Sequence, residues 1–173
     1  GSDLARSAEV AGATLRGFNL DVSETGRVTD VMAKSFSSSA LDMEAFAESM
    51  KMVAPIASSA GISLEKTSAM LAVLANNGIK GSMAGTMLRR IISEMETSGK
   101  STAEAIKDLA EKGLDLGGAM DEVGQRAQSG LLKLVENTDL LAELNTEFEN
   151  ASGSAKEMAD VMDMTAAGAS KAL

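Results

Sequence analysis

Apolar residues recur at intervals of three and four along almost the whole chain, and the alternation typical of a half-buried β-strand is scarce. Phe46, Met50 and Val53 form one such stripe. Good helix formers such as Ala, Leu, Met, Glu and Lys dominate, and there is a single proline. The pattern therefore predicts an all-α fold: a compact multi-helix domain of about seven helices built from repeated helix hairpins.

Helix starts are predicted where a side chain that can accept a backbone hydrogen bond precedes a helical stripe. Ser23, Asp42 and Ser63 are expected to cap the second, third and fourth helices. Ser101 and Glu104 have the spacing of a capping box, in which each residue bonds the backbone N–H of the other, and this predicts the start of the sixth helix.

Helix ends are predicted from Gly, Asn and Pro. Pro55 lacks a backbone N–H, so it is expected to kink or terminate the third helix. Asn76-Asn77-Gly78 predicts a stop, because both residue types tolerate a left-handed backbone. Other expected helices cover about Asp3–Gly17, Ser82–Glu96, Ala119–Val135 and Asn137–Glu149, with breaks at Gly113 and Gly117-Gly118 and a last helix from about Gly153 toward Leu173.

The segment from residue 61 to 91 echoes the segment 42 residues before it. At this offset apolar residues match apolar residues at helical spacing, so residues 18–96 are predicted to be a duplicated helix-hairpin unit. Gly81 and Gly85 are expected to let two helices approach closely. The matched pairs include Leu20 with Ile62, Val28 with Met70, Val31 with Val73, Met32 with Leu74, Phe46 with Leu88, Met50 with Ile92, and Val53 with Met95.

The composition suits a single globular domain. Of 173 residues, 45% are apolar but only 2% are aromatic, so the core must be built from aliphatic side chains and twelve Met. We expect one helical domain over residues 3–173, preceded by Gly1-Ser2 as an expression scar.

Charge and missing residue types limit the possible functions. A formal net charge of −9 disfavours binding to nucleic acid or to anionic membranes. The chain has no Cys and no His, so it lacks thiolate chemistry, the commonest general base and the commonest zinc ligand. The longest apolar run, Ala69–Ala75, is far below the roughly 20 residues of a membrane span.

Two short motifs superficially resemble catalytic or phosphate-binding sequences. Ser63-Leu64-Glu65-Lys66 fits the S-x-x-K pattern of penicillin-recognising serine enzymes, but their S-D-N and K-T-G elements are absent, and a helix cap explains Ser63. Gly99-Lys100-Ser101 resembles the end of a phosphate-binding loop, but Glu94 stands where that loop requires Gly. We interpret it as a turn.

The charged candidates are also explained by solvent exposure. Arg89-Arg90 is expected to be solvated or paired with neighbouring Glu such as Glu94. Four carboxylates are expected to form a solvated acidic face without calcium-loop spacing, and Asn150-Ala151-Ser152 is a sequon without a secretory signal. We therefore assign no catalytic, cofactor-binding or metal residue and no cofactor. The four carboxylates are Asp139, Glu143, Glu147 and Glu149.

The sequence from residue 18 to 90 resembles the core region of phage tail tape measure proteins of the TP901 type. The resemblance extends over roughly residues 10 to 165 and is most specific between 18 and 92. Its most diagnostic segments are Val53-Ala54-Pro55, Gly61–Glu65 and Ala75–Ser82, extended by Ala84-Gly85-Thr86 with Leu88-Arg89 and, near the end, by Asn150–Ala155 with Met158, Ala159 and Met162.

This resemblance implies a structural role. Tape measure proteins set tail length, lie inside the tail tube as several copies, and nucleate tube polymerisation. The implied partners are tail tube and tail assembly proteins and further copies of the same protein, in a virion tail made in the bacterial cytoplasm. The family core offers no catalytic residue to transfer. The Gly and Pro breaks predict a compact domain here, with extended helical segments elsewhere setting most of the length.

Two alternatives belong to other functional classes. A helical-repeat adaptor would bind a peptide or partner helix on a concave face. An enzyme such as a cell-wall hydrolase is disfavoured by the missing His and by the absence of an evident carboxylate pair.

Overall fold

The computed structural model describes residues 2–111, 121 and 123–171, and these residues form α-helices joined by short connections, with no strand among them. The prediction of an all-α domain is confirmed, with nine α-helices in this part of the chain against about seven expected. The bounds are α1 Ser2–Gly17, a 3₁₀ turn Val22–Glu24, α2 Thr25–Ser38, α3 Met43–Ser59, α4 Leu64–Asn76, α5 Gly81–Thr97, α6 Thr102–Glu111, α7 Gln125–Glu136, α8 Thr138–Glu149 and α9 Ser154–Lys171.

Helix α4 is the centre of the molecule. Every residue from Thr67 to Ala75 is buried, so this helix has no solvent-facing side over that stretch. A helix that is apolar all round must be enclosed by other elements, and α4 contacts α2, α3, α5, α7 and α8. Small side chains at three positions of α4 let the surrounding helices approach closely. These positions are Ala69, Ala72 and Ala75.

Helices α3 and α5 cross closely at Gly85. A Cβ atom at this position would lie 2.6 Å from the backbone oxygen of Ser49 and 2.9 Å from the Cβ of Met52. The Ser49 hydroxyl also donates a hydrogen bond of 2.8 Å to the backbone oxygen of Gly81, which joins the same two helices. The expected close approach at Gly81 and Gly85 is confirmed.

Three of the predicted caps are present. The Asp42 carboxylate accepts a hydrogen bond from the backbone N–H of Ala45 at 2.8 Å, and Ser63 accepts one from Lys66 at 3.1 Å. In the capping box, the Ser101 hydroxyl donates to the Glu104 carboxylate at 2.8 Å and the Glu104 backbone N–H donates to the Ser101 hydroxyl at 3.3 Å. Local sequence therefore defines these three starts.

The expected cap at Ser23 is wrong. Asp21 accepts the capping hydrogen bond from the Ser23 backbone N–H at 2.9 Å, and Ser23 itself lies inside the 3₁₀ turn. Helix α2 begins only at Thr25. Asp21, two residues earlier, is the cap instead, because its carboxylate reaches the first free N–H groups.

Two further predictions concern helix bounds. Pro55 lies inside α3, which continues to Ser59, so the proline does not terminate the helix, while the expected kink stays a prediction. The expected helix Ala119–Val135 is interrupted at Gly124, whose φ of 73° is left-handed, and α7 begins after it at Gln125. The expected breaks at Gly113 and Gly117-Gly118 and the start at Ala119 lie outside the described residues.

The helix bounds suggest a different register for the predicted duplication. Helices α3 and α5 both contain 17 residues, and α5 begins 38 positions after α3, at Gly81 against Met43. The capping residues Ser63 and Ser101 are separated by the same interval. The offset of 42, taken from the apolar matches, differs from 38 by about one helical turn. Both offsets therefore align the same helix faces. The duplication itself stays a prediction.

Candidate functional site

The Ser63–Lys66 motif forms a helix start, as the capping hydrogen bond shows. The Lys66 side chain is exposed, whereas the preceding residue, Glu65, is buried and faces α2. In the second motif, the Lys100 ammonium pairs with Asp108 at 3.0 Å while Ser101 belongs to the capping box. The Ser63 and Ser101 hydroxyls serve helix caps, the Lys66 side chain points to solvent, and the Lys100 ammonium is paired with Asp108, so the structure gives both motifs a structural explanation.

Among the ion pairs of the described residues, the most enclosed joins α2 to α4, and no local sequence pattern indicates it. Arg27 donates two hydrogen bonds to the Glu65 carboxylate, at 2.6 and 2.8 Å, and a third of 3.3 Å to Glu24. Burial is the largest single influence and raises the pKa of the Glu65 carboxyl. The hydrogen bonds and charge of Arg27, together with hydrogen bonds from the Glu65 backbone and Ser63, outweigh it, so the pKa lies below its ordinary value. The geometry suits a rigid connection between two helices.

The carboxylates of the predicted acidic face of α8 do not converge on one point. Asp139 and Glu143 are exposed. Glu147 turns toward α2, where Ser38 donates a hydrogen bond of 2.9 Å to its carboxylate and Lys34 lies 3.8 Å away. In the described part of the chain, no group of three or more potential metal-ligating residues is close enough to hold an ion.

The basic pair has the expected surroundings. Arg90 forms a salt bridge of 2.9 Å with Glu94, one helical turn later, and Arg89 is exposed. The sequon Asn150–Ser152 lies in the connection from α8 to α9. Neither Arg89 nor Arg90 lines the two surface grooves described next, whereas Ser152 lies in the smaller of them beside Glu149, Arg27 and Glu65.

Two surface grooves among the described residues are possible sites. A groove of about 540 Å³ between α1 and α3 is bordered by charged residues, of which Arg6 pairs with Glu9 and Glu44. A smaller groove of about 350 Å³ lies between α2 and the α8–α9 connection. The first is lined by one hydroxyl group, that of Thr14, and this donates to the backbone oxygen of Val10. The first groove therefore has no activated nucleophile.

Helix α9 is attached to the rest of the molecule by an interaction that local sequence does not show. The Asp30 carboxylate of α2 accepts hydrogen bonds from the backbone N–H groups of Gly153 and Ala155, both at 3.0 Å. A side chain from another helix thus performs the capping role at the start of α9.

The same helix carries three of the large apolar side chains that are most exposed. Val161, Met162 and Met164 have exposed fractions of 57%, 60% and 68%. The other large apolar residues exposed to this degree in the described chain lie singly, at Leu4, Val22 and Met83. Grouped exposed apolar residues favour a contact with another macromolecule, so the distal half of α9 is the candidate functional surface.

None of the described helices combines the length and apolar character needed to cross a bilayer.

Comparison with known proteins gives the family. The sequence model of the family described as phage-related minor tail protein matches residues 1–129, well over half of the chain. The tape measure protein of Pneumococcus phage Dp-1 is 32% identical over 190 aligned positions, which cover 94% of this chain and 16% of that protein. No solved structure matches.

A second relative agrees with the first. The probable tape measure protein of Escherichia phage P2 is 32% identical over 98 residues, which cover 57% of this chain and 12% of that protein. The chain thus spans less than a fifth of the length of either relative. These matches confirm the resemblance to tape measure proteins, and the chain belongs to the phage-related minor tail protein family.

Proposed function

We propose that this chain is the folded core domain of a tape measure protein and acts in tail assembly through protein–protein contacts. The observation that carries the proposal is the 32% identity to a tape measure protein along 94% of the chain. The helical body supports it, because the polar and charged groups singled out from the sequence serve helix caps or ion pairs or are exposed to solvent. Tail tube proteins, tail assembly proteins and further copies of the protein are the proposed partners, in the virion tail.

The domain's own contribution to tail length is small in this proposal. A single continuous helix of 173 residues would reach about 260 Å at 1.5 Å per residue. The chain instead folds back on itself around α4, so its end-to-end reach is far shorter. Since the Dp-1 relative is about six times longer than the part matched here, the remaining segments would supply most of the length.

A variant of the parent gene tests whether tails require this folded domain. Leu74 is fully buried in α4, and Leu74→Asp would place a charge in the core and unfold the domain. Electron microscopy of particles from cells carrying this variant should show few or no complete tails.

The matched control is Lys66→Asp, which introduces the same residue at an exposed position of the same helix and should leave tails normal. Both proteins must be present at the wild-type level by immunoblot. Complete tails in normal number with Leu74→Asp would contradict the proposal.

A further inference from the structure

Helix α9 lies outside the hydrophobic core. The chain leaves the core at Ala151, and no residue of α9 as far as residue 165 belongs to the core or to the half-buried apolar side chains that pack on it. Ser154, Ala155 and Met158 are half-buried, and the residues from 159 to 165 are all exposed. Among the described helices, α2 is the main contact of α9. Apolar burial, the dominant favourable term in folding, therefore contributes little to the docking of this helix.

The start of α9 depends on α2 for its cap. The backbone oxygen of Gly153 accepts a helical hydrogen bond of 3.1 Å from the Glu157 N–H, which puts Gly153 at the capping position. Glycine has no side chain that could accept bonds from the free N–H groups of the first turn. The Asp30 carboxylate of α2 takes this role, with bonds of 3.0 Å from the N–H groups of Gly153 and Ala155. When α9 leaves α2, it therefore loses its cap at the same time.

The helix has little other support once that cap is gone. In proteins most of the stability of a helix comes from tertiary packing of one face rather than from propensity, and α9 packs only near its start. Elements with few buried apolar contacts are those that open locally, below the free energy of global unfolding. Gly153 has a left-handed φ of 88°, a conformation that glycine adopts readily, at the point where the chain leaves the core for α9.

We propose that α9 is a detachable strap: the Asp30 carboxylate holds it to α2, and it opens, losing its helical start, while the rest of the molecule stays folded. Opening frees the Asp30 carboxylate and uncovers the part of α2 that lies beneath Ser154, Ala155 and Met158. The inference concerns the purified chain and does not depend on the proposed tail function.

Native-state hydrogen exchange tests the opening, read by mass spectrometry at urea concentrations below the unfolding transition. Amides between residues 158 and 165 should exchange faster than those of α4 and with little dependence on urea, because undocking exposes little surface. The amides of the buried stretch Thr67–Ala75 should exchange through global unfolding, at a rate that rises steeply with urea. Equal rates with equal urea dependence in the two helices would overturn the proposal.

Two cap variants separate the strap from a general loss of stability. Asp30→Ala removes both hydrogen bonds to α9, and exchange of the α9 amides should accelerate at least about tenfold. Asp42→Ala, the matched control, removes the cap of α3 and should accelerate exchange in α4 but leave α9 at the wild-type rate. Neither Asp is buried, so both variants should fold, as circular dichroism can check.

Three results from the variants would also overturn the proposal. They are an unchanged exchange rate of α9 in Asp30→Ala, acceleration of α9 as well as α4 in Asp42→Ala, and loss of the folded body in Asp30→Ala. The second would show that α9 opens only when the whole molecule unfolds. The third would show that Asp30 holds the body together rather than a strap.

Discussion

At the scale of single residues, the contacts that define this fold join positions far apart in the sequence. Arg27 meets Glu65 across 38 residues, and Asp30 meets Gly153 across 123. Arg27 also bonds Glu24, but the buried Glu65 carboxylate depends on Arg27 for its opposite charge. Removing one member of a buried pair costs more free energy than the net gain of forming the bond, because the remaining group loses part of its hydrogen bonding.

The Arg27–Glu65 pair makes stability depend on pH. The folded-state pKa of Glu65 lies below its ordinary value of 4.5. Its contribution is therefore complete above pH 4.5 and is lost as the pH falls through the folded-state pKa. We expect Glu65→Gln to lower the free energy of unfolding at pH 7 by about 1–3 kcal/mol and to flatten its decline below pH 4.5, as measured by urea unfolding between pH 7 and pH 3.

The matched control is Glu44→Gln. Glu44 also pairs with an arginine, Arg6, but at an exposed site where water screens the charges. Its stability at pH 7 should stay close to wild type. An equal loss in the free energy of unfolding for the two variants would contradict the expectation that burial makes the Arg27–Glu65 pair more stabilising than the exposed Arg6–Glu44 pair.

At the scale of helices, the α3–α5 crossing depends on the missing side chain of Gly85. Gly85→Ala would improve helix propensity by about 1 kcal/mol, yet its Cβ would press on the Ser49 backbone. Overpacking of this kind costs about 1–3 kcal/mol, and because backbone cannot easily yield, we expect a net loss of about 1 kcal/mol in urea unfolding.

Gly26→Ala provides the comparison. This glycine also lies in a helix, but no atom lies within 4 Å of the added Cβ. We expect this variant to gain about 0.5–1 kcal/mol. A stabilised Gly85→Ala would contradict the close crossing.

The outcome for individual elements shows what sequence patterns could predict. The caps at Asp42, Ser63 and Ser101 depend on residues three positions apart, so they were predictable. The Asp30 cap of α9 depends on tertiary packing and left no local signal. Gly124 is a lone glycine with helical periodicity on both sides, and that periodicity predicted a continuous helix. The left-handed backbone of Gly124, which breaks the helix, is a feature of the structure.

At the scale of the whole molecule, the all-α class followed from periodicity, but its organisation did not. The run Ala69–Ala75 indicated burial without showing that α4 is enclosed by five helices. The candidate surface was also missed, because Val161 and Met162 have the same spacing as core residues. Only the position of α9 at the edge shows that nothing described covers them.

Tail length in phage particles tests the account most directly. The parent gene would receive in-frame deletions of increasing size outside this domain. Electron microscopy should show tails shortening by up to about 1.5 Å per deleted residue, the rise of an α-helix, provided that this domain stays folded. Complete tails of unchanged length across the series would contradict the proposal that this chain belongs to a protein that measures tails.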